Sequence, residues 1–324
     1  MNCLITIILP VYGRSALLKA ALSSVYAQTD PDWRLHIADD GSDLETAELI
    51  AEQLQDKRVS CVSREHNIGL FANLNQATLE VQTPWQLILC SDDELKPDAI
   101  GKLKRAIRDH PDVRLILSSY ESIDTNGHLR YDVNSKFYDR FVPQTKRFLP
   151  GDLLEPLLRY GSINGNITGL LIHQTLFADA GPWRSEWTQA ADWEWLIRAS
   201  VQTRSLISRD PIARVRVHQG QLSVSNQKSQ RELLETLELL TVLLNHPLLA
   251  RCSDRFRWAA HHAQFQLWNT IKRSYHNGFH QTLSQLLAIH RSVGLRRTMF
   301  ALIRSFPARL RVSGSDRPLL PPLS

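Results

Sequence analysis

Two short acidic runs set the chemistry that this sequence can support. Ala38-Asp39-Asp40-Gly41-Ser42-Asp43 closes one apolar run, and Cys90-Ser91-Asp92-Asp93-Glu94 closes another. Carboxylates accept hydrogen bonds, take up protons and ligate hard cations. Two such clusters facing one crevice repel each other unless a cation or a hydrogen-bonded ligand lies between them. A divalent cation bridging an anionic diphosphate to Asp92 meets both conditions. An Asp-Asp pair also caps helices, so either cluster alone is weak evidence. Together at the ends of two strands, with Pro10-Val11-Tyr12 after a first strand, they point to a ligand site.

Short β-branched runs alternate with amphipathic stretches through the first half of the chain. Strands are expected over 4–9, 34–38, 59–62, 85–90 and 113–117, with helices over 15–27, 45–55, 70–79 and 97–109. This βαβ rhythm with near-continuous apolar strands predicts a parallel sheet covered by helices on both faces. In such a sheet ligands bind at the carboxyl ends of the strands, where both acid clusters fall. The pattern then loosens. Asn126-Gly127 reads as a turn between two strands, followed by a helix over 152–160, an apolar segment over 167–173, a Trp-rich helix over 190–201 and a last strand over 212–217. Beyond Gln227 the chain reads as helical to about residue 306, with breaks at Asn245-His246-Pro247, Asn277-Gly278 and Gly294. The proline-rich end, 313–324, is expected to be a flexible tail.

Ordered motifs over residues 3–220 resemble the inverting family 2 glycosyltransferases. They begin with Ile5-Thr6-Ile7-Ile8-Leu9-Pro10-Val11-Tyr12 and the Asp39-Asp40 loop. Asn67-Ile68-Gly69 with Asn75 follows, then Cys90-Ser91-Asp92-Asp93 with Pro97-Asp98. Ala191-Asp192-Trp193 with Arg198 is similar to the segment bearing the family's catalytic base. Arg216-Val217-His218 with Ser223 is similar to its closing motif. The resemblance implies an α/β fold of the glycosyltransferase A type, Rossmann-like and mostly parallel, plus a C-terminal helical region. The expected division is a catalytic domain over 1–225, a helical region over 226–312 and the tail over 313–324.

The same resemblance implies the roles. Pro10, Val11, Tyr12, Asp40, Asn67 and Asp92 would bind the nucleotide, a tyrosine ring stacking on the base and a carboxylate accepting its N–H. Asp92, with Asp93 and His218, would hold Mg²⁺ or Mn²⁺. Asp192 would be the general base, and Gly165, Asn166 and Trp193 would line the acceptor side. Two departures stand out: Cys90 replaces the first acid of the usual Asp-x-Asp loop, and Ala191 replaces the glutamate that often precedes the base. The expected activity is metal-dependent inverting transfer from a nucleotide diphosphate sugar, UDP or dTDP favoured, to a hydroxyl of a glycan or lipid-linked acceptor in bacterial surface polysaccharide synthesis. The alternative is a catalytically silent nucleotide- or glycan-binding module on the same fold.

Composition narrows the field further. The 324 residues, 43% hydrophobic and 22% charged, suffice for a globular core. Four cysteines without a CxxC pair argue against a disulfide scaffold or structural zinc and fit a reducing, cytoplasmic setting. No GxGxxG or GxxxxGK[ST] occurs, which disfavours dinucleotide oxidoreductases and P-loop enzymes. Residues 251–324 hold 12 Lys and Arg against 2 acids, whereas residues 1–250 hold 26 against 31. The acidic body thus carries a basic tail without any nucleic-acid-binding signature, and no nucleic-acid partner is expected. On a helix over 295–306, Leu295, Met299, Leu302, Ile303 and Phe306 would share one face beside Arg296, Arg297 and Arg304, with Pro307 limiting the helix. That pattern predicts peripheral contact of the basic C-terminal helices with the inner face of the cell membrane.

Overall fold

The computed structural model describes residues 4–130, 142–163, 166–218, 221 and 230–311. Ser223, Gly165 and the tail over 313–324 lie outside the described residues. The chain divides into two compact units. One comprises Met1–Gly151, Asn164–Glu186 and Trp195–Gln221; the other comprises Asp152–Ile163, Trp187–Glu194 and Leu222–Ser324.

In the first unit, Ile5–Val11 (β1) is apolar or β-branched along nearly its whole length, and every residue of it is buried. A strand covered on both faces belongs inside a parallel sheet. β1 pairs in parallel with Arg34–Asp39 (β2) on one side and Trp85–Ile88 (β4) on the other, and β2 pairs in parallel with Val59–Ser63 (β3). The connecting helices are Ser15–Tyr26 (α1), Leu44–Gln53 (α2) and Leu70–Glu80 (α3). β1 to β3 step in one direction, and the chain then returns to place β4 on the far side of β1. Right-handed crossovers therefore put α1 and α2 on one face of the sheet and α3 on the other. Leu18, Leu22 and Val25 of α1 pack with Ile5, Ile7, Leu9 and Trp33 in the main core, each such side chain stabilising by about 1.5–3 kcal/mol.

The sheet continues through Glu94–Leu95 (β5), Val113–Ile123 (β6), Leu170–His173 (β9) and Arg204–Arg216 (β10), in the order β3-β2-β1-β4-β9-β6-β10-β5. Leu129–Arg130 (β7) pairs with β6, Lys146–Phe148 (β8) with β10, and Ala99–Asp109 (α4) precedes β6. β6 and β10 run parallel to each other, but β9 is antiparallel to both β4 and β6. The sheet is therefore mixed rather than wholly parallel. β10 is also much longer than the strand expected over 212–217. Its register against β6 shifts between Ser208 and Ala213, which absorbs Asp210-Pro211 as an irregularity instead of a break.

The second unit is helical. It contains Leu154–Tyr160 (α5), Gln230–Leu244 (α8), Arg255–Ser292 (α9) and Leu295–Arg311 (α10). Gly278 leaves helical geometry at φ 71° and ψ 170° and divides α9 into two helices. Gln174–Ala180 (α6) belongs to the first unit, and the division between units falls within Ala191–Gln202 (α7). Two expectations for α10 fail. The helix runs past Pro307 to Arg311, and Leu302 turns inward at 3% exposure while Ile303 turns outward. The inward face is the row Thr298, Leu302 and Ser305, of which only one member is apolar, so hydropathy alone misjudged its direction.

Candidate active site

The exits of β1, β2 and β4 are fastened to one another. Pro10 and Val11 end β1 opposite Ala38 and Asp39 and are buried. Tyr12 follows them with 59% of its surface exposed, so its ring is available for stacking. Gly13 N–H then donates to Ser42 Oγ at 3.1 Å, and the Arg14 guanidinium donates to Asp92 Oδ2 at 3.3 Å. The first of these bonds ties the exit of β1 to that of β2, and the second ties it to that of β4. Arg14 has φ 63°, and among the described residues it is the one non-glycine in the left-handed region, a conformation that costs about 1 kcal/mol or more.

Asp40 is almost fully buried, and its carboxylate is engaged. Oδ1 accepts from Ile68 N–H at 2.8 Å and Oδ2 from Gly69 N–H at 3.0 Å. The loop carrying the exposed Asn67 thus lies directly over the β2 exit. Gly41, at φ 75°, permits this approach: a Cβ there would come within 2.9 Å of the His66 backbone. Asp43 caps α2 by accepting from Thr46 N–H at 2.9 Å. Asn75 is engaged with the Trp183 backbone through both its amide atoms, at 2.8 Å each.

At the exit of β4, Cys90, Asp92 and Asp93 bring their ligand atoms within 4.8 Å of one another. His218, just after β10, lies with Nε2 3.0 Å from Asp92 Oδ2, the oxygen that Arg14 also contacts. Asp93 is buried; it accepts from Thr168 Oγ1 at 2.5 Å, Asn166 Nδ2 at 3.2 Å and Arg216 N–H at 2.8 Å. Burial, followed by the Asp92 charge, pushes its carboxyl up to about 7. Burial and the same two acids raise the Cys90 thiol well above its ordinary value, so it stays a thiol. Two carboxyl groups and an imidazole form a mixed oxygen and nitrogen donor set. Such a set suits a hard or borderline divalent cation such as Mg²⁺ or Mn²⁺.

The whole corner is held by a residue of the closing motif for which the sequence suggested no role. Arg216 is buried, donates from Nε to Asp92 O at 3.1 Å and from Nη1 to Asp124 O at 3.0 Å and Thr125 O at 3.2 Å, and pairs through Nη2 with Glu94. Its planar fork fixes the acidic loop from behind. Thr168 was missed as well, although its place two residues after Asn166 was a signal.

Residues 6–160, just under half of the chain, match the family model described as glycosyl transferase family 2. That stretch is a glycosyltransferase family 2 domain. Among relatives of this glycosyltransferase, the Sinorhizobium fredii protein y4gI is 31% identical over 208 residues, 63% of this chain. The alignment spans only 21% of that longer relative. A PGL/p-HBAD biosynthesis glycosyltransferase of Mycobacterium tuberculosis is 23% identical over 74% of this chain and 85% of its own. Solved structures agree on the fold. S. aureus TarS 1–349, in complex with UDP-GlcNAc, superposes with a TM-score of 0.70 at 14% identity, covering 94% of this chain and 92% of its own. A mannosyltransferase from Pyrobaculum calidifontis, in complex with GDP-Man and Mn²⁺, gives 0.57 at 14% identity, covering 95% and 87%.

The glycosyltransferase's second unit contains Asp192 and Trp193, in the first turn of α7. Asp192 is partly buried; Oδ1 accepts from Trp193 N–H at 2.7 Å, and Ser162 is a second hydrogen-bond partner. Burial, opposed by these bonds and assisted by the Glu235 charge, pushes its carboxyl up to about 6. Glu235, from α8, was not anticipated. Its carboxylate accepts from the N–H groups of Thr188, Gln189 and Ala190 at 2.8–3.0 Å, satisfying donors that precede the helix carrying Asp192. No sequence pattern links it to Asp192. Trp193 is buried against His262, with ring centroids 5.0 Å apart. In the first unit, Trp183 and Trp195 stack at 4.3 Å within the core, and Arg198 pins the Ala180 and Pro182 carbonyls.

Proposed function

We propose that this protein transfers a sugar, with inversion, from a nucleotide diphosphate sugar to a hydroxyl of a glycan or lipid-linked acceptor, in surface polysaccharide synthesis. The observation that carries the reading is the joining of three strand exits on one sheet edge. Asp40 and Tyr12 lie at two of them and Asp92 with His218 at the third. Tyr12 stacks on a base whose N–H Asp40 accepts, which favours a uracil or thymine nucleotide, and Asn67 and the buried Pro10-Val11 shape its seat. UDP-GlcNAc and GDP-Man in the TarS and Pyrobaculum complexes support a nucleotide-sugar donor.

Asp92 would hold Mg²⁺ or Mn²⁺, with Asp93 and His218 in support. When bound, the cation neutralises charge on the leaving diphosphate as a Lewis acid. Arg14, on the same carboxylate oxygen, supplies a further positive charge at that edge. Asp192 takes the proton of the attacking hydroxyl; a base near 6 is ionised at neutral pH yet still basic enough to act. One such base in a single displacement inverts the anomeric carbon. Asn166 and Trp193 are assigned to the acceptor side. The catalytic domain is assigned to 1–225 and the helical region to 226–312.

The test is nucleotide release from a panel of UDP-, dTDP- and GDP-sugars with Mn²⁺, with and without EDTA, by the wild type and Asp92→Ala. Release abolished by EDTA and by the substitution is expected. Release indifferent to both would remove the metal from the mechanism, and nucleotide binding without any turnover would favour a silent binding module, the reading suggested by Cys90 and Ala191.

A further inference from the structure

Between residues 255 and 311, the stretch that forms α9 and α10, the chain carries ten Lys and Arg and no Asp or Glu. Ordinary surface helices mix both signs and gain from i,i+4 pairing. Asp254, just ahead of the stretch, pairs with Arg257, and Glu232 of α8 acts on Arg273, whereas α10 has no carboxylate of its own to set against its arginines. Among the described residues no helix is long and apolar enough to cross a membrane.

α10 adds exposed apolar side chains to that charge. Thr298, Leu302 and Ser305 form its buried row. On the outward side, Arg296, Phe300 and Arg304 form one i,i+4 ridge, and Met299 and Ile303 form the ridge beside it. Phe300 is 62% exposed and Ile303 63%, far above what a solvated helix needs. Arg304 lies over the Phe300 ring at 5.8 Å, so cation and aromatic face outward together. In the same unit, Tyr275 and Phe279 of α9 are also exposed, near Lys272 and Arg273.

We propose that the outward face of α10 is a docking surface for an anionic lipid bilayer, Phe300, Ile303 and Met299 entering the headgroup boundary and Arg296 and Arg304 pairing with lipid phosphates. Charge complementarity selects this occupant. A bilayer surface offers phosphate to the arginines and hydrocarbon to the aliphatic side chains at the same depth. Nucleic acid offers no comparable partner for Ile303 and Met299. A second copy of this face would set arginine against arginine. The face differs from the stripe that the sequence suggested, because Leu302 is spent on internal packing.

The full chain would be sedimented with vesicles of phosphatidylcholine alone and with about 30% phosphatidylglycerol, in about 0.1 M and about 0.5 M salt. Binding is expected only to the anionic vesicles and is expected to weaken at least about tenfold at the higher salt. Phe300→Ser with Ile303→Ser should lower the partition coefficient at least about tenfold. Arg296→Glu with Arg304→Glu should lower it about a hundredfold. Leu79→Ser, at a leucine of the first unit that is 85% exposed, should leave it unchanged. Circular dichroism of each variant checks the fold. Equal partition into neutral and anionic vesicles, or double variants that bind like the wild type, would overturn the proposal. So would a self-association that the double variants abolish in a protein that ignores vesicles. None of these readouts depends on sugar transfer.

Discussion

Replacing Asp192 by asparagine should cost activity and return stability, and the two effects should separate with pH. The carboxyl titrates near 6 instead of its ordinary 3.8, chiefly because burial disfavours its charge. That displacement is worth about 3 kcal/mol. The sign follows from linkage: a carboxyl with a raised native pKa binds its proton more tightly folded than unfolded. The native state is therefore unpenalised below about pH 4, loses stability as pH rises from about 4 to about 6, and carries the full penalty above that. An asparagine amide cannot ionise, so Asp192→Asn should gain roughly 2–3 kcal/mol at pH 7.5 and almost nothing at pH 4. If Asp192 is the base as proposed, turnover should fall by roughly 10²–10⁴, with donor affinity unchanged. In the wild type, kcat/KM should rise through about pH 6 and level off above it. Urea unfolding at both pH values, together with initial rates of nucleotide release between pH 5 and 8, measures all of this. A stability difference that does not change with pH would refute the burial argument, and near-normal turnover would move the base elsewhere, with Glu194 next in the same turn.

Asp40→Asn should weaken UDP binding by about 1–3 kcal/mol and loosen the loop at Ile68 and Gly69, since one charge serves both; calorimetry with UDP and amide exchange at Gly69 report the two effects. Glu235→Gln removes a like charge, so the acid limb of the rate profile should move to lower pH while the protein loses about 2–3 kcal/mol through weakened bonds to Thr188–Ala190; a limb that stays in place would show that Glu235 is structural only. Arg216→Lys keeps the charge but loses the fork, and should destabilise by about 2–4 kcal/mol and weaken Mn²⁺ binding measured by calorimetry; wild-type affinity in the folded variant would separate the fork from the metal loop.

Much of this architecture was readable from the residues. The runs that became β1, β2 and β4 are largely apolar, and acids follow β2 and β4 at their carboxyl ends, the edge where a parallel sheet places ligands. What escaped was long-range. β9 is a four-residue apolar run whose direction depends on its partners, and nothing in Leu170-Leu171-Ile172-His173 distinguishes parallel from antiparallel. Glu235 acts on backbone N–H groups 45 or more residues earlier, where no periodicity could connect them. Arg216 was visible beside His218, but its four backbone and carboxylate partners are brought to it only by the pairing of β10 with β6 and β5. Leu302 was placed on the wrong side because two polar residues, Thr298 and Ser305, share its buried face.

The reversed course of β9 divides the active edge between two kinds of chain segment. β1, β2 and β4 reach that edge as they leave the sheet, each with its acids or its tyrosine just past the last paired residue. β9 meets it on the way in: Gly169 N–H bonds to Ile88 O and Thr168 Oγ1 receives Cys90 N–H before the strand begins. Asn166 and Thr168 are thus presented by a lead-in whose side chains also fasten Asp93. A substitution at either would therefore reach the acidic loop after β4, although β9 itself carries none of that loop's residues. The edge is braced from one side by segments leaving the sheet and from the other by a segment entering it.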